Sequence, residues 1–393
     1  MSTYRCEVLD PKLIDQVVPL ILQLGASSRC DHVAYLTWKY FNNPYMADPL
    51  ICVVRHEGRV VGMRGVYGTS WVLPGIERPQ MLPCTADTVI ATEHRSGSLF
   101  AELTEFALAR LVDRGFRQVI NLGATPANHI ASIVSLGWLK VGSYEPVVRS
   151  ARAVAAPGRT QAPARTPSPL DPLVRRIKSS EWLGRTVREM RTARRNTFGE
   201  SPFAHLDRRP DREGRGKIPE VTAEPRPHTM ARVAAQFAVP GRIHHVRDET
   251  YFAWRYGNPL ARDRWSNGRV HRRFFFLHGR SGEGYAVLQG TPGRSDLRLI
   301  DWAGDEETFA VLLDTVMASI KPVRLGTWSA TLPGAVRTHL VQSGFVPERG
   351  NLQARWQGLL IKSLNAGGAV AGDRQLLDIN NWDLRMIQSD AIT

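Results

Sequence analysis

The residues of this 393-residue chain best placed to do chemistry lie between Asp87 and Phe100. Asp87 stands amid Thr85, Ala86, Thr88 and Val89, a run with the composition of a central strand. An acid in that setting needs partners or changes its proton affinity, so Asp87 is either a general base or a structural hydrogen-bond partner for a neighbouring loop. Glu93 ends the same run, followed by His94 and Arg95. The text Arg95-Ser96-Gly97-Ser98-Leu99-Phe100 then enters a helical pattern. Free amides at a helix start, backed by its positive end, favour an anion, and small residues let one approach. The same turn also suits an ordinary helix start. Asn128, after Thr125-Pro126-Ala127, has the place of a residue finishing a helix cap. The cysteines Cys6, Cys30, Cys52 and Cys84 have neither pairing nor metal-ligand spacing and read as reduced thiols, so no metal is expected.

The elements that must position these residues follow from periodicity and punctuation. The spacing predicts helices over Pro11 to Leu24 and Ala34 to Phe41, then strands over Leu50 to Arg55, Arg59 to Tyr67 and Met81 to Ala91. A helix from Leu99 to Arg114, closed by Gly115, leads to a strand at Gln118 to Leu122. A short helix (Ala127 to Leu136) and an extended stretch (Leu139 to Val148) complete the set. Alternating helices and strands predict an α/β (α+β) fold with a mixed sheet and helices on its faces.

The plan is written twice. Tyr35-Leu-Thr-Trp38-Lys39-Tyr40-Phe-Asn-Asn43-Pro44 recurs as Tyr251-Phe-Ala-Trp254-Arg255-Tyr256-Gly-Asn258-Pro259, with one residue inserted in the first copy. Paired strand patterns follow each copy, so the chain reads as a duplication. The Trp residues and their aromatic neighbours are expected in core or interface packing. The expected organisation is a first domain over 1–150, a basic linker over 151–226, a second domain over 227–362 and a tail over 363–393.

Composition sets the class. Hydrophobic content of 43% and charged content of 22% are globular values. The amino terminus has no apolar signal core and no later run has the length of a membrane span, which predicts a cytoplasmic protein. Of the net charge of +14, the stretch from Arg152 to Arg232 supplies +9, with 18 Lys and Arg against 9 Asp and Glu. Within it Leu173, Val174, Ile177, Leu183, Val187 and Met190 recur at helical spacing, which predicts an amphipathic helix. It either docks on a domain or offers a basic face to an anionic membrane surface or glycan. No nucleic-acid-binding motif accompanies the charge, so specific nucleic-acid recognition is not expected.

The order of elements over Pro11 to Val148, with Glu93-His94-Arg95-Ser96-Gly97-Ser98-Leu99-Phe100 between strand and helix, resembles the GNAT superfamily of acyl-CoA-dependent N-acyltransferases. In that family a Gln/Arg-x-x-Gly-x-Gly/Ala turn receives the coenzyme A pyrophosphate. Arg95 matches its first position, while Ser98 replaces the glycine of the fourth, which sits one residue earlier as Gly97. The resemblance implies acetyl-CoA or another acyl-CoA as co-substrate, contacted by Val89, Ile90, Ala91, Arg95, Ser96, Gly97, Ser98, Leu99, Phe100 and Asn128. It implies transfer to a small-molecule primary amine, with Asp87 and Glu93 as candidate bases and His94, Tyr67, His129 and Tyr144 as further candidates. The family's usual thiolate-protonating Tyr is replaced here by Ile133. The second copy carries Ala303-Gly304-Asp305-Glu306-Glu307 at the corresponding turn, where acids repel a pyrophosphate, so only the first copy is expected to bind the cofactor. The closing Asn380-Asn-Trp382 segment is similar to that of some two-module proteins encoded with surface-polysaccharide enzymes and suggests an amino-sugar or glycan acceptor. The competing reading is a non-catalytic binding or scaffold protein for an anionic ligand or a polysaccharide or membrane-surface assembly, which Ser98, Ile133 and the acidic second turn favour.

Overall fold

The structure is a computed structural model that describes residues 4–24, 31–95, 98–150, 203, 219–258, 270–278, 282–290, 296–320, 322, 324–348, 358–364 and 374–388. The linker helix expected around Leu173 to Met190, and Ser96 and Gly97 of the predicted cofactor turn, lie outside the described residues.

The first half runs β1 (Arg5–Val8), a 3-10 turn (Pro11–Val17), α1 (Val18–Gln23), α2 (His32–Leu36), a π-helical turn (Thr37–Phe41), β2 (Leu50–His56), β3 (Arg59–Val72) and β4 (Gln80–Ile90). A 3-10 turn (Thr92–His94), α3 (Leu99–Asp113), β5 (Gln118–Asn121), α4 (Pro126–Leu136), β6 (Leu139–Ser143) and β7 (Pro146–Ser150) follow. The second half comprises β8 (Glu220–Thr222), α5 (Pro227–Gln236), β9 (Ile243–His245), α6 (Glu249–Tyr256), β10 (His271–Leu277), β11 (Gly284–Gly290) and β12 (Asp296–Ala303). It continues with α7 (Glu306–Ile320), β13 (Arg324–Trp328), α8 (Gly334–Gln342), β14 (Val346–Pro347) and β15 (Gly358–Ser363). The last described elements are short 3-10 turns at Arg374–Leu377, Ile379–Asn381 and Met386–Gln388, with β16 (Trp382–Asp383) between the last two.

Three local departures from the sequence reading have physical causes. The single helix expected over Pro11 to Leu24 divides, with Leu13 at non-helical angles and Pro19 in the first turn of α1. Proline lacks an N–H and is accepted only where that donor has no helical partner. The residue inserted in the first copy of the repeat is absorbed as a π-helical turn, closed by Asn42 N–H to the Thr37 carbonyl at 2.8 Å. The second copy is plain α-helix. The extended stretch over Leu139 to Val148 breaks at Tyr144 and Glu145, the latter at φ +48°.

That break carries the largest topological result. The main path of the first sheet orders its strands β1-β2-β3-β4-β5-β15-β6, and the second orders β14-β7-β13-β12-β11-β10-β8. β7, from the first half, lies between β13 and β14 of the second sheet, while β15 lies between β5 and β6 of the first. The ranges 1–150 and 227–362 therefore exchange their last long strands. β9 pairs with β3 and β16, which adds two further strands to the first sheet.

Both faces of the second sheet are apolar. Phe274 and Phe276 of β10 join the core shared with the first half, and Phe275 and Leu277 join the core under α7 and α8. This is the alternation a strand imposes when both faces are covered.

Candidate active site

β4 and β5 run parallel and pair at Cys84 and Ile120. One residue further, Asn121 Nδ2 donates to Thr85 Oγ1 at 3.0 Å, and beyond that bond no pairing between the two strands is present among the described residues. At the point of separation β4 bulges. Gly65 of β3 faces Ala86, but Met63 faces Val89, so β4 holds one extra residue. Asp87 sits in that bulge at φ +47°, a left-handed conformation that Asp tolerates better than most residues. A bulge turns a backbone group out of the ladder and re-aims a side chain.

The Asp87 side chain is 13% exposed and held by three donors: Lys39 Nζ at 2.9 Å, Tyr40 Oη at 2.7 Å and Tyr35 Oη at 3.3 Å. Lys39 is fully buried, also donates to Tyr35 Oη at 3.0 Å, and lies over the rings of Tyr35, Tyr40 and Tyr67 at 5.4–5.5 Å. Cation–π attraction and the carboxylate together offset the cost of burying an ammonium. Gly65 makes this fit, since a Cβ there would come within 2.0 Å of Tyr40 Oη. The sequence marked Tyr35, Lys39 and Tyr40 as a repeat but not as partners of Asp87.

Beyond the bulge, Val89, Ile90 and Ala91 are buried, and Ala91 N–H still donates to the Val61 carbonyl at 2.8 Å. Arg95 folds back, its Nε donating to the Ile90 carbonyl at 2.9 Å. Ser98 is the residue before α3, and its hydroxyl is spent on Glu102, so it caps no N–H of the first turn. Leu99 is buried and Phe100 packs partly buried against the core. The end of β4 therefore leads to a helix start that has no side-chain cap among the described residues, an arrangement that suits an anion, with Glu102 in the first turn opposing it.

Other candidates are dispersed. Glu93 is exposed on the 3-10 turn and joins none of the bonds to Asp87. His94 Nδ1 meets Tyr4 Oη at 3.1 Å, beside the ring of His56. Asn128 gives its backbone N–H to Thr125 Oγ1 at 3.3 Å in the first turn of α4. Tyr144 is buried, donates to the Leu122 carbonyl at 3.2 Å and stacks on Trp328, and burial pushes its phenol well up, which removes it as a base. His129 is buried in α4, and burial holds its pKa down.

The second half repeats the construction and then closes it. β12 also holds one extra residue, with Val287 facing Asp301 but Leu288 facing Leu299. Asp301 accepts from Tyr285 Oη at 3.0 Å, Tyr256 Oη at 3.4 Å and Arg247 Nη1 at 2.9 Å. Tyr256 and Tyr40 occupy the same place in the repeat. The Asp301 carboxyl is wholly enclosed, and burial raises its pKa. Asp305 Oδ1 caps α7 through Thr308 N–H at 2.7 Å. The carboxyl-terminal segment crosses the ends of β12 and β13: Leu384 exchanges hydrogen bonds with Thr331 Oγ1, both at 3.0 Å, and Arg385 lies over the Trp302 ring at 4.6 Å. In the second half the corresponding ground is thus covered by a capped helix and the chain's own carboxyl-terminal segment.

The halves meet through the repeat itself. Trp38 Nε1 donates to the Trp254 carbonyl at 2.7 Å and Trp254 Nε1 to the Trp38 carbonyl at 2.9 Å, with the indoles stacked 5.1 Å apart. The two donations are reciprocal, as they are across a two-fold axis.

No family model matches the chain, and no curated protein matches it in sequence. Solved structures do match it in shape. A protein of unknown function from Enterococcus faecalis V583, described as a probable N-acyltransferase, aligns over 93% of this chain and 73% of its own, at 8% identity and a TM-score of 0.56. A GCN5-related N-acetyltransferase from Anabaena variabilis ATCC 29413 aligns over 92% of this chain and 73% of its own, at 12% identity and a TM-score of 0.53. At such identities the likeness is one of fold, a GNAT-like fold spanning nearly the whole chain.

Proposed function

We propose that the first half is an acyl-CoA-dependent N-acyltransferase acting on a primary amine, with acetyl-CoA as the first donor to test and amino sugars among the acceptors. The observation that carries this is the bulged opening of β4 from β5 at Asp87, leading to a start of α3 that has no side-chain cap among the described residues. The α3 amides and Arg95 would hold the pyrophosphate, and the gap between β4 and β5 would take the pantetheine. When bound, acyl-CoA supplies the thioester. A backbone N–H at the bulge would polarise its carbonyl, and the acceptor nitrogen would form the new C–N bond as the C–S bond breaks. Asp87, in line with Tyr40 and Tyr35, holds the proton that the amine gives up. Ile133, packed against the core, offers no acid, so water or another residue would return a proton to the departing thiolate.

One feature favours a binding module instead: Asp87 is already occupied by three donors and is 13% exposed. Titration calorimetry with acetyl-CoA, joined to a thiol-release assay over amines that include glucosamine, separates the two readings. The transferase reading expects saturable binding that Arg95→Glu weakens at least tenfold, with thiol release dependent on amine. Binding without release for any amine supports the module, and no binding at millimolar concentration overturns the cofactor site.

A further inference from the structure

A cavity of about 560 Å³ lies where the far end of β3 meets α5. Val72 lines it from the first half, and Ala231, Ala234 and Val246 line it from the second. Val72 is seven residues along β3 from Gly65, whose partner Ala86 adjoins Asp87. At the usual strand rise that is about 23 Å, too far for a group in this cavity to reach the opening of β4.

Two charged neighbours also line the cavity, and each has an unspent side. The Arg247 side chain is 7% exposed and makes all its hydrogen bonds among the described residues from Nη1: Asp301 Oδ1 at 2.9 Å, the Trp302 carbonyl at 3.1 Å and Tyr285 Oη at 3.4 Å. Its Nε and Nη2 are spent on no protein acceptor there. Asp248 receives both of its donors, Tyr251 N–H at 2.7 Å and Tyr45 Oη at 3.3 Å, on Oδ1, which leaves Oδ2. These bonds fix the orientation of both side chains, so binding need not order them again.

The remaining titratable groups at the cavity add little net charge. His245 donates from Nδ1 to the Val246 carbonyl at 2.8 Å, and burial pushes it down to about 3, so its imidazole is neutral. His244 sets its Nδ1 on the Arg242 carbonyl at 3.0 Å. Arg232 is paired with Glu283 and Arg247 with Asp301. His228 is the last such group. A ligand carrying both signs on an apolar body matches this arrangement better than a bare anion or cation.

We propose that this cavity binds a small zwitterion with an apolar side chain, of the class of free aliphatic and aromatic α-amino acids. The carboxylate lies on the Nε and Nη2 edge of Arg247, the ammonium on Oδ2 of Asp248, and the side chain against Ala231, Ala234 and Val72. An arginine edge takes a carboxylate by two parallel bonds, which fixes the ligand's orientation as well as its charge. The site is independent of the transfer reading.

Titration calorimetry on the full chain tests this with L-leucine and L-phenylalanine, and with 4-methylpentanoate and isoamylamine, which keep the leucine side chain but lose one charge each. The expected result is saturable binding of an amino acid, with each single-charge analogue at least about tenfold weaker than leucine. Asp248→Asn keeps a good helix cap while removing the charge. It should weaken leucine about tenfold and leave 4-methylpentanoate unchanged, and Ala231→Leu, which puts bulk where the ligand's side chain lies, should weaken leucine at least about tenfold. No saturable heat with either amino acid at millimolar concentration, or a single-charge analogue binding as tightly as leucine, overturns the proposal without any variant. Unchanged leucine affinity in Asp248→Asn overturns it as well. Leucine binding by a chain that fails to bind acetyl-CoA supports the cavity and counts only against the transferase reading.

Discussion

Asp87 and Lys39 are coupled more tightly than a separation of 48 positions suggests, and the asymmetry of their burial fixes what each substitution should cost. Asp87→Asn leaves a fully buried ammonium with hydroxyls and ring faces but no counter-charge. Breaking a buried pair from one side costs about 3–5 kcal/mol, because the charge left behind is uncompensated. Lys39→Met leaves a carboxylate that keeps two tyrosine donors and some contact with solvent, so its cost should be nearer about 1–2 kcal/mol. The double variant should be no less stable than Asp87→Asn alone. Urea unfolding of the four proteins measures the coupling, and additive costs would show that the pair contributes nothing as a pair. In the second half the counter-charge has moved to Arg247, while Arg255, at the place of Lys39, turns its Nε to the Ile387 carbonyl at 2.7 Å. The repeat displayed Lys39 and Arg255 as equivalents. Their different partners were not legible, because a side chain's destination depends on strands far away in sequence.

At the scale of elements, the exchange of β7 and β15 makes neither half self-sufficient. A chain of residues 1–150 would carry β7 without its neighbours and would leave β5 and β6 with unpaired edges where β15 belongs. Exposed edges of apolar strands template aggregation. Residues 1–150 alone should therefore be insoluble or dimeric, while co-expression with residues 203–393 should give a one-to-one complex on size exclusion; a soluble monomer of 1–150 would contradict this account. The repeated motif and most of the helices and strands from β2 to α4 were readable from period and punctuation. The exchange was not, since Leu359, Leu360 and Ile361 have the same apolar pattern whichever sheet they enter. The bulge was hidden for a related reason. One extra residue in β4 shows only against the register of β3, and the local text of β4 is that of any buried strand.

The whole molecule is fastened by its carboxyl-terminal segment. β16 pairs with β9, which pairs with β3, and Trp382 packs edge-on against Trp71 at 5.0 Å, so the tail is attached to the first sheet. Residues Leu384 to Gln388 are attached to the second half through Thr331, Trp302 and Arg255. Trp382 and Ile387 are fully buried, and losing one large buried side chain costs about 3–5 kcal/mol. A chain ending at residue 373 gives up both, together with the partner of Arg255. That exceeds a large part of the usual stability of about 5–15 kcal/mol. Differential scanning calorimetry should then show a strongly lowered or lost transition. A synthetic peptide of residues 374–393, added at about a hundred times its dissociation constant, should return about 2.7 kcal/mol and raise the transition with peptide concentration. A truncated chain that melts like the full one would mean the tail only rests on the surface. If the transition drops and the peptide restores it, the end of the second sheet is held shut by a segment that the chain itself supplies, through Leu384 on Thr331 and Arg385 on Trp302.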